Sequence, residues 1–206
     1  MKIIDISVTI YEGMPTYMGN EANQPVIQTK TNDYITDTNL KMNIHTCTHI
    51  DAPLHMLKQG KTVETIELEK LVRPCKVIDV TKARDRISSD DLRGAEIEKG
   101  DFLLLKTQNS LGMTTNDNFI FLAEDGAKYL SEKGISGVGI DTLGIERSQN
   151  NHPTHKTLFT KDIIILEGLD LKEVEAKEYL LVCAPLKLIG TEAAPARAFL
   201  IDQFMP

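Results

Sequence analysis

The five histidines of this chain are confined to two short segments, and acidic residues accompany both. The first segment reads HTCTHIDAPLH from residue 45, and the second reads NHPTHKTLFTKDIIILEG from residue 151. Imidazole is the commonest metal ligand in proteins. A fold that joins these distant segments would assemble one polar site, and we therefore predict a metal site. Its candidate side chains are His45, His49, Asp51 and His55 in the first segment, and His152, His155 and Glu167 in the second.

The first segment is predicted to be a bent extended strand. The residues between His45 and Asp51 include two threonines and an isoleucine, whose β-branched side chains disfavour a helix, and Pro53 follows closely. A straight strand would hold His45 and His49 roughly 13 Å apart, at about 3.3 Å per residue. Both can reach one ion, at about 2.0–2.1 Å from each nitrogen, only if residues 46–48 bend the chain. We expect a strand that ends at about His45, a tight corner, and Asp51 returning toward the same ion.

Two other interpretations of the first segment remain open. A polar strand or loop could use the histidines for core hydrogen bonds, which would be the better interpretation for one isolated histidine. Three histidines and an aspartate at these offsets favour a site instead. A nucleophilic pair of Cys47 with a histidine is the other alternative, because nearby imidazole activates thiolates. It explains Cys47 but leaves His45, His49 and Asp51 without roles.

Length and charge limit the class of protein. A chain of 206 residues suits one domain covering residues 1–206. The formal net charge of −7 argues against nucleic acid or an anionic membrane as the main partner. No stretch approaches the length needed to span a bilayer. The three cysteines are odd in number and widely spaced, which fits the reduced thiols of a cytoplasmic protein.

Short β-branched runs bounded by Gly, Pro, Asp or Asn predict strands throughout the chain. Helical signals are fewer. Because strands outnumber helices without strict alternation, we expect a mixed α+β (α/β) domain rather than a doubly wound sheet. The predicted strands are Lys2–Ile10, Pro25–Thr29, Lys76–Val80, Phe102–Lys106, Gly137–Asp141, Ile163–Leu166, Tyr179–Val182 and Ala198–Ile201. The predicted helices are a short one capped by 88–91, a longer one at Ala123–Lys133 and a third at Pro153–Phe159.

The second segment adds one buried acid to the candidates. Glu167 follows an unbroken apolar run, so we expect it at the end of a buried strand, where an acid is costly unless a cation neutralises it. His152 and His155 are three apart and could share one face of a helix. Asp141 ends a similar apolar run, and structural and supporting roles are equally open to it. Arg197 could pair with an acid near the site or form a structural salt bridge.

The segment HTCTHIDAPLH resembles the H-x-G-T-H-x-D-x-P-x-H signature of the cyclase family of metal-dependent hydrolases, which has kynurenine formamidase and isatin hydrolase branches. The similarity extends over most of the chain. IDISVTIYEGMPTYMG resembles the family's opening strand and P-x-x-x-G loop, and GVGIDTLGIE resembles its G-x-D-T segment. PTHKTLFTKDIIILEGL resembles its P-x-H…E-x-L segment, and APLKLIGTEAAPARAFLI resembles its closing strands.

The resemblance implies a role for each candidate. His45, His49 and Asp51 would bind metal, His55 would be the catalytic acid/base, and His155 with Glu167 would complete a second metal position. Asp51 and Glu167 would bridge two zinc ions or, in some branches, manganese. The implied fold is a swivelling β/β/α domain that assembles into dimers or tetramers. His152 falls outside the P-x-H pattern, so we expect an exposed loop histidine there.

Two positions depart from the family pattern. Cys47 stands where the family usually has glycine, so we expect the corner to tolerate a side chain with a negative φ. The chain also lacks tryptophan, and its loop at 15–20, which carries Tyr17, replaces the aromatic-proline-glycine-acid loop of the kynurenine enzymes. We therefore expect the metal chemistry to persist with a different pocket wall.

The expected chemistry is hydrolysis of a small amide or cyclic amide, of the arylformamidase type. Imidazole and carboxylate ligands suit zinc or manganese, and a metal with an open position lowers the pKa of its water toward about 7. His55 would take the proton and return it to the leaving nitrogen. The alternatives are a lactone or isatin-type ring hydrolase or lyase, and a metal-binding protein without catalysis, which would have no use for His55.

Overall fold

The computed structural model describes residues 1–112 and 118–202. Its strands are β1 (Lys2–Asp5), β2 (Val26–Asn32), β3 (Ile35–Lys41), β4 (His49–Asp51), β5 (Val72–Asp79), β6 (Arg86–Ile87), β7 (Phe102–Lys106), β8 (Phe121–Leu122), β9 (Gly137–Ile140), β10 (Ile164–Glu167), β11 (Glu178–Val182), β12 (Ala193–Pro195) and β13 (Phe199–Asp202). Its α-helices are α1 (Ser89–Leu92), α2 (Glu124–Lys133) and α3 (Pro153–Phe159).

Nine of the described strands form one curled mixed sheet in the order β1-β13-β11-β5-β7-β9-β10-β4-β12. The four central strands β5, β7, β9 and β10 are parallel. The flanking pairs, including β10 with β4 and β4 with β12, are antiparallel. The fold is therefore mixed α+β, as the sequence predicted.

The sheet has a hydrophobic cluster on each face because its central strands are apolar on both sides. Leu103 and Leu105 of β7 pack with Leu130 of α2 in one cluster. Phe102 and Leu104, which alternate with them, belong to the other. A strand whose neighbouring side chains all lie in a core needs both faces of its sheet covered. Helices α2 and α3 contribute residues to the first cluster, and β11, β13 and the residues that follow β1 contribute to the second.

The predicted elements agree closely with the observed ones in the centre of the chain. The strand at Phe102–Lys106 and the helix at Pro153–Phe159 have the predicted bounds. The long helix begins at Glu124, with Ala123 as its N-cap, and ends at Lys133, followed by the C-cap residue Gly134, whose φ is 71°. The predicted strand Lys2–Ile10 is wrong in its second half, since β1 ends at Asp5.

The hairpin of β2 and β3 stands apart from the main sheet. All residues of both strands are exposed, and seven residue pairs join them to each other. The chain enters the hairpin after Asn23 and leaves it before Asn43, and both asparagines line the cavity described below. Elsewhere, no helix in the described part of the chain is long and apolar enough to cross a membrane.

Candidate metal centre

Strand pairing brings the two histidine segments together. Strand β4 lies between β10 and β12, and its register places His49 opposite Glu167 and Asp51 opposite Ile165. Directly opposed residues of an antiparallel pair have Cβ atoms about 4.5–5.5 Å apart. His49, Asp51 and Glu167 consequently share one face of the sheet, and all three are buried. This is the buried strand end that the sequence predicted for Glu167.

The corner before β4 brings His45 next to His49. His45 Nδ1 and His49 Nε2 are 3.2 Å apart, so the chain bends between them as predicted. The expected negative φ at Cys47 is wrong, because Cys47 has φ 67°. The strand expected to end at about His45 ends at Lys41. His45 itself lies in a turn, and its backbone N–H donates to Asn43 Oδ1 at 2.8 Å. A left-handed residue at Cys47 reverses the chain more sharply than the expected conformation would.

Three donor atoms converge at the corner. His45 Nδ1 lies 3.0 Å from Asp51 Oδ1, and His49 Nε2 lies 3.3 Å from the same oxygen. Ligands held at about 2.0–2.2 Å around a tetrahedral ion are about 3.4 Å from one another. The separations of these three atoms therefore fit the edges of a coordination polyhedron. His49 Nδ1 donates to the Cys47 carbonyl at 2.9 Å, which leaves its Nε2 free to face the cluster.

A second group of donors meets at the other oxygen of Asp51. His155 Nε2, carried by α3, lies 3.6 Å from Asp51 Oδ2 and 3.4 Å from Glu167 Oε1. Glu167 Oε2 lies 3.3 Å from His49 Nε2. Asp51 and Glu167 thus each face both histidine groups. The two carboxylates therefore lie between the pair His45 and His49 on one side and His155 on the other.

The hydrogen-bonding state of these atoms supports metal binding. Among the described residues, three buried atoms that face the cluster have no hydrogen-bond partner: Asp51 Oδ1, Asp51 Oδ2 and His155 Nε2. A buried carboxylate without hydrogen bonds is strongly destabilising unless a cation neutralises it. Both oxygens of Asp51 point into the donor cluster, so a divalent ion fits the electrostatic requirement of the residues present.

The pKa values of the cluster residues also indicate that a positive charge is stabilised between the carboxylates. Burial opposes a charged His49, but the Asp51 and Glu167 carboxylates raise its pKa to about 10. Burial and the charge of Asp51 oppose ionisation of Glu167, but hydrogen bonds from His155 and His49 lower its pKa to about 2. The carboxylates are therefore anionic at neutral pH, and a cation, whether a proton or a metal ion, is held between them.

His55 lies beside the donor cluster at the wall of a cavity. It ends a short 3₁₀ turn that begins at Pro53, and its ring centroid is 4.2 Å from that of His45 and 5.5 Å from that of His155. Burial lowers its pKa, which favours the neutral ring. The cavity has a volume of about 300 Å³, and Tyr17 lines it together with His55. A small molecule in this cavity would contact both His55 and the donor cluster.

Glu146 is the buried site residue that the sequence analysis missed. Its carboxylate accepts a hydrogen bond from His155 Nδ1 at 2.7 Å and another from the His155 backbone N–H at 3.1 Å. It ends the GVGIDTLGIE segment, and no spacing rule connects it with His155 nine residues later. His152, as expected, is exposed; it is the N-cap residue of α3.

The remaining candidates lie outside the donor cluster. Asp141 is buried and accepts hydrogen bonds from the Thr107 backbone N–H and hydroxyl, at 2.9 and 2.8 Å, and it lines a neighbouring cavity of about 350 Å³. Arg197 forms an exposed ion pair with Asp5. Burial raises the pKa of the Cys47 thiol to about 11, which opposes a thiolate nucleophile. These contacts favour structural roles for all three residues.

The fold and the site together define a mixed α+β protein whose curled sheet carries a buried cluster of histidines and carboxylates with the donor atoms that suit a divalent metal ion. A family model described as "Putative cyclase" matches residues 4–147. The chain belongs to this cyclase family.

Similar proteins support the assignment along the whole chain. The kynurenine formamidase of Salinibacter ruber is 30% identical over 98% of this chain and 98% of its own. A solved structure described as a predicted metal-dependent hydrolase from Bacillus stearothermophilus is 54% identical, covers 98% of each chain and has a TM-score of 0.90. Isatin hydrolase A from Labrenzia aggregata is 23% identical over 97% of this chain and 93% of its own, with a TM-score of 0.84, and shares the fold.

Proposed function

We propose that this protein is a metal-dependent hydrolase that cleaves a small amide or cyclic amide of the arylformamidase type. The observation that carries the proposal is the pair of unpartnered Asp51 oxygens, each facing histidine nitrogens at 3.0–3.6 Å, beside a cavity that also contains His55. The names of the Salinibacter and Bacillus relatives support both the metal dependence and the amide substrate.

The donor set suits two divalent ions. His45, His49 and Asp51 would hold the first, and His155 with Glu167 would hold the second, with the two carboxylates shared. Nitrogen and carboxylate ligands without thiolates fit zinc, and manganese is the alternative. A bound divalent ion of this kind acidifies water and polarises a carbonyl, which makes amide hydrolysis feasible at neutral pH.

His55 would move the proton during hydrolysis. Because burial lowers its pKa, the ring is neutral at pH 7 and can accept a proton from the attacking water. Its place at the cavity wall allows it to return that proton to the leaving nitrogen. Amide cleavage requires this second transfer, since an amine anion is a very poor leaving group. General acid–base catalysis of this kind contributes typically about 10²–10⁴-fold.

The substrate is expected to be small and flat. Tyr17 lies in the cavity wall within the loop that differs from the kynurenine enzymes, and its hydroxyl donates to the Glu146 carbonyl at 3.3 Å. Pocket walls determine specificity, while the ions supply the reaction. We therefore expect turnover of simple N-formyl-arylamines with little preference for N-formylkynurenine. We also propose one domain over residues 1–206, a cytoplasmic location and a homodimer or homotetramer.

Metal content tests the shared site. His49→Ala and Glu167→Gln should each lower the zinc or manganese bound after reconstitution, because one ligand is lost from each segment. Glu178→Gln is the matched control, since that exposed glutamate of β11 lies outside the donor cluster, and its metal content should equal that of the parent protein. Undiminished metal in both ligand variants, measured by elemental analysis, would disprove the shared site.

A substrate panel tests the reaction class. The reconstituted enzyme should hydrolyse N-formyl-arylamines or cyclic imides, with isatin and lactones as the competing substrates of the same chemistry. Preference for a lactone or isatin would establish the alternative ring hydrolase. A preference of about 10⁴ in kcat/KM for N-formylkynurenine, which requires dedicated polar contacts, would disprove the altered pocket. If the metal-loaded protein turned over none of these substrates, the alternative of a metal-binding protein without catalysis would be supported.

A further inference from the structure

Glu146 is a buried acid that the proposed reaction does not use. Its side chain is 1% exposed, and its Oε1 is without a hydrogen-bond partner among the described residues. Its other oxygen, Oε2, accepts from both the ring and the backbone of His155. Burying a carboxylate costs free energy, so the hydrogen bonds to Oε2 have to offset that cost for the acid to remain at this position.

The backbone contact fixes the start of the helix that carries His155. Helix α3 begins at Pro153, and its N-cap residue His152 has φ 50° and makes no side-chain cap hydrogen bond. The backbone N–H of His155 lies in the first turn, where it has no partner inside the helix. Glu146 supplies that partner from outside the helix, and its negative charge also suits the positive end of the helix dipole. This carboxylate therefore ties the start of α3 to the chain segment that follows β9.

The ring contact selects which nitrogen of His155 faces the cluster. Nδ1–H donates to Glu146 at 2.7 Å, so the Nε2 lone pair points at the space between Asp51 Oδ2 and Glu167 Oε1, at 3.6 and 3.4 Å. The hydrogen bond made by one imidazole nitrogen sets which nitrogen binds a metal, and a carboxylate partner raises the donor strength of the ring. One oxygen of Glu146 therefore controls both the place and the orientation of His155.

We propose that Glu146 is a positioning residue that makes Nε2 of His155 the metal-binding nitrogen and holds α3 at the distance this requires. The inference rests on the proposed function, because it assumes that His155 binds metal. A different role is distinguishable: donor atoms of Glu146, His152 and His155 lie within 4.8 Å of one another, so Glu146 could itself be a ligand. A ligand would change the number of ions bound, whereas a positioning residue changes only their affinity.

Two substitutions separate the charge of Glu146 from its hydrogen bonds. Glu146→Gln keeps an acceptor for the His155 donors and removes the charge, while Glu146→Met removes both at similar volume. Zinc titration of the metal-depleted protein should give the parental stoichiometry for both variants. The affinity of the weaker site should fall about 10–100-fold in the Met variant, the range for lost outer partners of metal ligands, and less in the Gln variant. Glu124→Gln, the same change in the first turn of α2, should leave the isotherm unchanged.

Nitrogen-15 NMR of the zinc-loaded protein measures which ring nitrogen of His155 carries the proton. A purely structural role of Glu146 would leave this protonation unchanged. The parent and Glu146→Gln should show His155 protonated at Nδ1, and Glu146→Met should show a second species protonated at Nε2. If the Met variant does not fold, the affinity of the Gln variant decides. Unchanged affinity and protonation would overturn the proposal, and loss of one whole equivalent of zinc would make Glu146 a ligand. If the metal-depleted parent binds neither zinc nor manganese, the proposed function fails and this inference with it.

Discussion

At the scale of single residues, the position of His55 beside the donor cluster leads to a test of its role. It lies at the cavity wall, and one of its ring nitrogens falls within 4.8 Å of a His45 ring nitrogen and of an Asp51 carboxylate oxygen, so a metal ligand and a proton carrier both fit its position. We predict that His55→Ala retains near-parental metal and loses at least about 10²-fold in turnover, the usual contribution of a general acid–base group. Equal losses of metal and activity would make His55 a ligand, and unchanged activity would remove it from the reaction.

Cys47 gives the second prediction at this scale. Its φ of 67° lies in the left-handed region, which costs a non-glycine residue roughly 1–2 kcal/mol. Cys47→Gly removes this strain and also removes the buried thiol, and the two effects on stability oppose each other. The free energy of unfolding should therefore change by less than about 1 kcal/mol, with most activity retained. Cys47→Val should lose about 2 kcal/mol or more, because a β-branched residue tolerates this conformation poorly. Denaturant titration and a turnover assay measure both. Loss of all activity with metal retained in the Gly variant would revive a thiol nucleophile.

Residue chemistry explains which site residues the sequence could reveal. His45, His49 and Asp51 are close in sequence and share a recognisable spacing, and Glu167 is marked by the apolar run before it. Glu146 has neither signal, since its importance comes from a contact with His155 that exists only after α3 packs against the sheet. The positive φ of Cys47 was indicated by the glycine that the family usually has at this position, but the cysteine was taken as a sign of negative φ, and the packed corner keeps the left-handed conformation.

At the scale of elements, Gly168 joins the end of β10 to the corner before β4. Its φ is 69°, and a Cβ there would lie 2.2 Å from the Cys47 carbonyl oxygen. The Thr48 hydroxyl donates to the Gly168 carbonyl, so the two turns are held in direct contact. An added methyl group would push them apart and separate His49 from Glu167.

Gly168→Ala should therefore lower both stability and metal affinity. We expect a loss of roughly 2–3 kcal/mol, which is large for a single methyl group because conformational strain and backbone overlap add. Gly134→Ala is the matched control, since Gly134 has φ 71° and its nearest neighbour is a flexible Lys99 side chain at 3.4 Å. It should cost about 1 kcal/mol with parental metal affinity. Equal effects of the two substitutions in thermal unfolding and zinc titration would contradict the close contact at Gly168.

Elements with strong local signals were the predictable ones. The apolar run Phe102–Lys106 and the helix Pro153–Phe159, which starts with proline, have their predicted bounds. Strand β3 was expected to end at about His45 and ends at Lys41, and the short strand β4 was not predicted. The sequence of β3 is polar because the strand is exposed, and β4 is a strand only because β10 and β12 pair with it on both sides. Long-range pairing of this kind leaves no local pattern.

At the scale of the whole molecule, the sheet gathers three buried carboxylates into one region of an already acidic protein. Asp51, Glu167 and Glu146 lie around His155, and the formal net charge is −7. Packing brings these acids together at an electrostatic cost that folding alone does not offset. A cation that binds the folded cluster and not the unfolded chain is expected to recover that cost.

Metal removal should consequently destabilise the whole protein, and more at high pH than at low pH. At a free metal concentration about 100-fold above Kd, the bound ion adds about 2.7 kcal/mol, and a chelator should lower Tm by roughly 5–10 °C. The pH dependence follows from His49. Because its pKa is about 10, it carries a proton at neutral pH, and a metal ion has to displace that proton in order to bind. Without metal, the stabilisation from protonated His49 is fully present below its ordinary pKa of 6.5 and is lost as the pH rises from there to about 10.

Metal affinity should therefore rise with pH, and the difference in Tm with and without chelator should be larger at pH 8 than at pH 6. Thermal unfolding at the two pH values measures this difference, and titration of zinc in weakly buffered solution should show proton release on binding. Glu167→Gln should reduce the chelator effect, because it removes one of the charges that the ion neutralises. An unchanged Tm on chelation of the metal-loaded parent protein at both pH values would show that the buried carboxylates are neutralised by protons alone.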